Sequence, residues 1–228
     1  MIWKPPKIWN GGAAFILGGG SSLFREFGVP DSLIEDVWAK RKDIKEIHPY
    51  LEPLKDKHVI AINTAYKLGT FPDFLFFGDK QWWLNYQNQI KNYPAIKISC
   101  AAYFGTHKET GVRYMAKNNK RIHGITRKEG FVSWNHNSGA ASISLAYQLG
   151  AKRIILLGFD MKFGNTQKSH WHSDYIKGNK VPRPPFKRHL LGFHQIKKDA
   201  KALGIEILNA SQDSAIREFP IVRAKEYL

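Results

Sequence analysis

Cysteine is nearly absent. Cys100 is the single one in 228 residues, which excludes a disulfide framework and any cysteine-built zinc site. No apolar run approaches the roughly 18 residues of a membrane helix, and the opening Met-Ile-Trp-Lys-Pro-Pro-Lys lacks the long apolar centre of a secretory signal. A cytoplasmic protein without membrane insertion is the expectation. There is no complete G-x-G-x-x-G fingerprint, no Gly-Lys-Ser/Thr of a nucleoside-triphosphate loop, no internal repeat and no low-complexity tail. Acidic residues are scarce as well: 19 Asp and Glu stand against 35 Lys and Arg, a net charge of +16.

What is present is a folded chain. Hydrophobic residues make up 43% and aromatics 13%, enough to build a full core at this length. The basic excess is uneven. Between Met161 and Lys201 ten Lys and Arg face only Asp174 and Asp199. Such a field draws phosphorylated ligands, an anionic glycan, DNA or another polyanion; a lysine-rich soluble surface is the plainer reading of the same charge.

The stretch with the most chemical content is Ala14-Phe-Ile-Leu-Gly-Gly-Gly-Ser-Ser-Leu23. An apolar run stops at three glycines and a helix-like segment follows. Backbone amides at such a strand-to-helix turn are suited to phosphate, and a tight turn without a ligand has the same signature. Further apolar runs at His58–Asn63, Pro72–Asp79, Ala95–Ala101, Lys152–Asp160 and Ile205–Leu208 read as buried strands. Between them, helices are predicted over 23–27, 31–40 (N-capped at Asp31), 81–90, 138–150 and 194–203, with a helical turn at 64–68 and a short helix after Asp213. The stretches 103–134 and 161–190 carry no period and read as irregular covering segments. The alternation predicts a single α/β, Rossmann-like domain over 1–228, with a mainly parallel sheet and helices on both faces. Ligands of such sheets gather at the carboxyl ends of the strands, here Gly18–Gly20, Asn63, Gly78-Asp79 and Gly158–Asp160.

Four segments, Ile-Leu-Gly-Gly-Gly-Ser-Ser-Leu, Ile-Ala-Ile-Asn-Thr-Ala-Tyr, Asn-Ser-Gly-Ala-Ala and Leu-Gly-Ala-Lys-Arg-Ile-Ile-Leu-Leu-Gly-Phe-Asp, follow one another in this order. Together, over about residues 13–220, they resemble the bacterial lipooligosaccharide sialyltransferases and the archaeal 6-hydroxymethylpterin diphosphokinases, with the motility-associated proteins that share the latter's domain. The chain also looks like tailed-phage proteins of uncharacterised role that carry a His-Trp-His segment and a terminal Phe-Pro; a phage origin would make the location the host cytoplasm. The resemblance implies a nucleotide-dependent transferase, most simply a glycosyltransferase taking a nucleotide-sugar donor to an anionic acceptor. The alternatives are a Mg-ATP diphosphokinase and a non-catalytic protein that binds nucleic acid or serves phage assembly.

Carried over by position, the resemblance implies nucleotide binding by Gly18, Gly19, Gly20 and Ser22, by Asn63, and by Ser138 and Gly139. Gly19 stands where the sialyltransferases have Asn, and Ser21 where they have Pro. Their tyrosine two residues after the strand-end Asp falls on Lys162, which would neutralise phosphate as a point charge. Their histidine base falls on His189 or His194, a residue type whose pKa lies near working pH. Asp160 joins these three as a candidate catalytic group.

Two further signals stand apart from the resemblance. Asp79 and Asp160 each end a predicted strand beside glycine, where carboxylates hold Mg²⁺ on a diphosphate or cap a helix. His170 and His172 point the same way on an extended chain. Alone they are half a metal site, and with Asp160 or Asp174 they could hold a divalent metal; the alternatives are contact with phosphate or acceptor, or packing alone. Trp82, Trp83 and Trp134 read as packing residues before stacking platforms.

Overall fold

The computed structural model describes residues 1–164, 168–175 and 186–228; residues 165–167 and 176–185, part of the stretch expected to be irregular, lie outside them. Seven strands form one sheet: β1 (Ala13–Leu17), β2 (His58–Ile62), β3 (Phe74–Phe77), β4 (Ile96–Ser99), β5 (Arg113–Tyr114), β8 (Arg153–Leu157) and β9 (Glu206–Asn209). Their order is β5-β4-β3-β2-β1-β8-β9, and every pairing is parallel. A separate parallel pair joins β6 (Ala116–Lys117) to β7 (Phe131–Val132).

The central strands β1, β2, β3 and β8 are apolar over most of their length because both faces of the sheet are covered there. Successive side chains alternate between two cores. Phe15, Leu17, Val59, Ala61, Leu75, Phe77, Ile155 and Leu157 face one of them. There they meet the helices α1 (Ser22–Glu26), α2 (Asp31–Trp38) and α3 (Lys80–Ile90), and a 3-10 helix at Ile44–Leu54. The sequence pattern left that last element unassigned. Ala14, Ile16, Ile60, Ile62, Phe74, Phe76, Ile154 and Leu156 face the other core, under α4 (Ser138–Leu149) and α5 (Phe186–Leu203).

α4 shows why its sequence folds as it does. Asn137 caps it, its Oδ1 accepting from Ala140 N at 2.7 Å, and Gly150 ends it in the left-handed region at φ +104°. Its alanines and serines let nearly the whole helix bury against the sheet.

Four expectations differ from what is observed. Asp31 is the first helical residue of α2 and Pro30 the cap. The 103–134 stretch supplies an edge strand, β5, and the small β6–β7 pair rather than loop alone; two-residue strands are too short to show a period. α5 starts at Phe186, eight residues before the predicted start, because the basic sequence of its first two turns hides the apolar stripe. No α-helix follows Asp213; the C-terminal segment carries a 3-10 turn at Ala224–Glu226.

The loops of the 103–134 stretch are fastened to α5. Asp199 accepts from Ile125 N at 2.7 Å and Gln195 Nε2 at 2.9 Å, and pairs with Arg121. Asn135, itself left-handed at φ +52°, bonds Gly124 in both directions through its side chain, at 2.7 and 3.0 Å. Gly192 of α5 lies so close that a Cβ there would sit 2.6 Å from Asn135 Oδ1. This contact and the bond from Asn137 Nδ2 to His189 O at 3.1 Å fasten the α5 backbone around His189 to the start of α4 and the loop before it.

Candidate active site

The chain builds outward from β1 to β5, then crosses back through α4 to β8 on the other side of β1. The reversal opens a crevice at the carboxyl ends of β1 and β8, the place where ligands of open α/β sheets bind. A cleft of about 630 Å³, counted out to its open mouth, lies there. Gly18–Gly20 and Gly158–Asp160 form one side, Asn63 and Asn137–Gly139 another, and Ser169-His170 with Phe186 and His189 close over it.

The glycines of the first loop serve packing more than the sequence suggested. Gly18 N donates to Leu157 O at 2.7 Å and Gly20 N to Gly158 O at 2.9 Å, so two of the three loop amides are already paired. A Cβ on Gly18 would lie 2.6 Å from Gly158 O, and one on Gly19 2.6 Å from the His170 ring. A Cβ on Gly20 would strike the Asp160 carboxylate, so three surfaces press on this loop and only hydrogen fits. Among the described residues Gly19 N has no partner, and the first-turn amides of α4 at Ser138 and Gly139 have no acceptor within the helix. These are the donors open to an anion.

Asp160 is committed to α1. Its carboxylate accepts from Ser22 Oγ in a very short bond and from Ser22 N at 3.3 Å. Ser22 therefore holds Asp160 and does not line the cleft. Burial pushes the Asp160 carboxyl above its ordinary value, against the opposing pull of the Ser22 bonds, Arg25 and Lys162. A folded pKa above the unfolded one means the stability contribution is complete below the unfolded value, near 3.8, and is lost as pH rises through the folded one. Asp160→Asn, which stays neutral, should therefore gain stability relative to the wild type as pH climbs from 4 to 7. Urea midpoints of both proteins across that range measure this, and parallel profiles would refute it.

The other predicted residues divide clearly. Asn63 leaves β2 left-handed at φ +50°, a conformation asparagine tolerates, and its Oδ1 is buried with no protein partner among the described residues. Ser138 Oγ accepts from Gly78 N at 3.1 Å, tying α4 to the end of β3. Gly139 gives room for the Phe159 ring, 2.8 Å from where a Cβ would stand. His189 lines the cleft. Its pKa is lowered by burial and by electrostatic repulsion from Arg188 and His136.

Lys162 and His194 are exposed and outside the cleft lining. His194 follows His189 by five residues, more than one helical turn, and so looks elsewhere. Asp79 is exposed too, and caps α3 through Oδ1 to Gln81 N at 2.8 Å.

The paired-histidine expectation also changes. His170 enters the cleft, whereas His172 is buried behind it against Trp171 and Tyr175. Among the described residues no three His, Cys, Asp or Glu side chains are gathered to hold a metal ion. Trp82 is buried in the first core, and Trp134 packs on Gly78 beneath the Lys117 ammonium, 3.9 Å from the ring centre. No pattern in the residues pointed to Phe186 or Ser169 in the cleft, since both flank stretches without a period.

No protein-family model and no curated protein sequence matches the chain. Solved structures do. The sialyltransferase CstII from Campylobacter jejuni, in complex with the substrate analogue CMP-3FNeuAc, is similar with a TM-score of 0.51 and 13% identity, over 93% of this chain and 86% of that one. A point variant of CST-II in complex with CMP gives 0.53 and 15% over 95% and 88%. The same enzyme with trisaccharide acceptor and CMP gives 0.50 and 15% over 95% and 88%. At such identities the likeness concerns architecture, and the protein has a sialyltransferase-like α/β fold built on a seven-stranded parallel sheet.

Proposed function

We propose that the protein is a glycosyltransferase that moves a sugar from a nucleotide-linked donor to a hydroxyl of an anionic acceptor. The observation that carries this reading is the cleft itself. A histidine with a lowered pKa, His189, lines one crevice between β1 and β8 with the amide-bearing start of α4 and with Asn63, whose Oδ1 has no partner among the described residues. The fold is shared with an enzyme whose solved complexes contain CMP and a CMP-sugar analogue, which supports a nucleotide sugar as the donor class.

In the proposed step the acceptor oxygen attacks the anomeric carbon. The bond from that carbon to the phosphate oxygen breaks, and its electron pair leaves on the phosphate. The acceptor proton passes to His189. The lowered pKa keeps this imidazole unprotonated near neutral pH and so able to accept it. The amides of Gly19, Ser138 and Gly139 would meet the charge gathering on the departing phosphate. Asn63, with both a donor and an acceptor, suits the nucleoside. The net charge of +16 favours an acceptor that is itself anionic.

A Mg-ATP diphosphokinase would draw on Asp79 and Asp160, and each is bonded to a helix N-terminus instead, which is why a chelator-insensitive reaction is preferred here. Thermal shift or calorimetry against a panel of nucleotides, nucleotide sugars and pterins tests the choice. Binding of a nucleotide or its sugar that survives EDTA is expected. ATP binding that disappears with EDTA would favour the kinase. If nothing binds except DNA, with affinity falling steeply in salt, the protein is a polyanion binder and not a transferase.

A further inference from the structure

We propose that His170 is a direct contact of the nucleotide phosphate, donating a hydrogen bond from Nε2 over the first glycine loop. The inference rests on the nucleotide reading above and adds to it a residue outside the four motif segments that suggested that reading. Four features hold the imidazole in place. Trp171 N donates to Gly19 O at 2.9 Å, which straps the segment across the loop. The Trp171 indole, 2% exposed, is anchored in the core beside Phe24, with ring centres 5.4 Å apart. The His170 ring lies against Gly19 itself, where even a methyl group would not fit. Tyr175 stands edge-on behind it at 5.1 Å.

The ring's hydrogen bonding then decides what it can do. Nδ1 is 2.9 Å from Ser169 Oγ. With the serine hydroxyl donating there, the single proton of the neutral ring sits on Nε2. Burial and the nearby His189 lower the pKa to about 4, so near neutral pH the ring is uncharged. It is then a poor base, but it keeps a fixed donor. A metal-ligand role lacks other ligands among the described residues. A neutral donor beside Gly19 N, opposite the start of α4, is what a phosphate leaving group needs on its remaining side.

The test compares binding of each nucleoside 5′-monophosphate (CMP, UMP, GMP, AMP) with binding of the corresponding nucleoside. Calorimetry is run on the wild type, His170→Ala, His170→Asn and His170→Gln, with thermal melts to confirm folding. Glutamine places its amide nitrogen near the Nε2 position, and asparagine places its own near Nδ1. For the monophosphate that the wild type binds best, Ala and Asn should weaken affinity about 10- to 100-fold, and Gln should recover most of it. The nucleoside should bind all four proteins alike. Three results would overturn the assignment while leaving the nucleotide reading intact: unchanged monophosphate binding in His170→Ala, equal losses for monophosphate and nucleoside, or equal behaviour of Asn and Gln. A wild type that binds no monophosphate and no nucleotide sugar overturns both.

Discussion

Replacing His189 with alanine is expected to lower sugar transfer about 10²- to 10⁴-fold, the usual contribution of a positioned general base, while nucleotide affinity stays nearly unchanged. The two effects should separate because the proposed step gives His189 the acceptor proton and gives the phosphate to other groups, the amides of Gly19, Ser138 and Gly139 and the His170 ring. The placement depends on contacts that alanine leaves intact: Asn137 Nδ2 bonds the His189 carbonyl, and Gly192 is packed against Asn135. The residual rate should also lose its dependence on a group titrating below the ordinary histidine value of 6.5, because burial, Arg188 and His136 lower the pKa of His189. Initial rates across pH 5 to 8 for both proteins, with nucleotide binding measured in parallel, give the result. A variant that keeps the wild-type rate would remove His189 from the chemistry, and one that loses nucleotide binding to the same extent would make it a structural residue.

The second large effect is acid lability. His170 and His172 are held neutral by burial, His170 with a pKa of about 4 and His172 well below 6.5. Lysines 67 and 40 add to the effect on His172, as does His170. Its Nδ1 is buried without a hydrogen-bond partner among the described residues, 4.0 Å from Asp174 Oδ2. A folded pKa below the unfolded 6.5 means that the unfolded chain binds more protons as pH falls. The stability is therefore fully present above 6.5 and is lost on the way down towards the folded values. Each of the two contributes a slope of up to about 1.4 kcal/mol per pH unit. Asp160 acts in the opposite sense, since its carboxyl is pushed up, and offsets part of the loss. Urea denaturation between pH 7 and 5 should show a steep decline, and His172→Gln should have a shallower one. A flat profile in the wild type would contradict the burial of both rings.

The parallel sheet was legible in the residues themselves. Runs such as Phe15–Leu17, Val59–Ile62 and Ile154–Leu157 are apolar without alternation, which only strands covered on both faces can sustain. The small-residue helix with Asn137 before it and Gly150 after it was equally plain. The edge strand at Arg113–Tyr114 and the first two turns of α5 were not. Two residues show no period, and Phe186, Leu190 and Phe193 are embedded among Lys187, Arg188, His189 and His194.

For some residues two roles share one signature. Asp79 and Asp160 end their strands as metal-binding carboxylates would, and both cap helices. Asp79 caps α3, the helix after its own strand, whereas Asp160 leaves β8 and bonds Ser22 of α1, the helix after the neighbouring strand β1. For the glycine loop, the sequence alone determined that the backbone must run close to something. What it approaches was decided by the tertiary structure: the exit of β8 at Gly158, the Asp160 carboxylate and the His170 ring. Their contacts join residues more than a hundred positions apart, and no local pattern records them. The sequence by itself determined a parallel α/β sheet with polar, glycine-bearing strand ends. The packing of those ends determined which amides are paired, which histidine enters the cleft and which is buried behind it, because pairing and burial depend on neighbours in space.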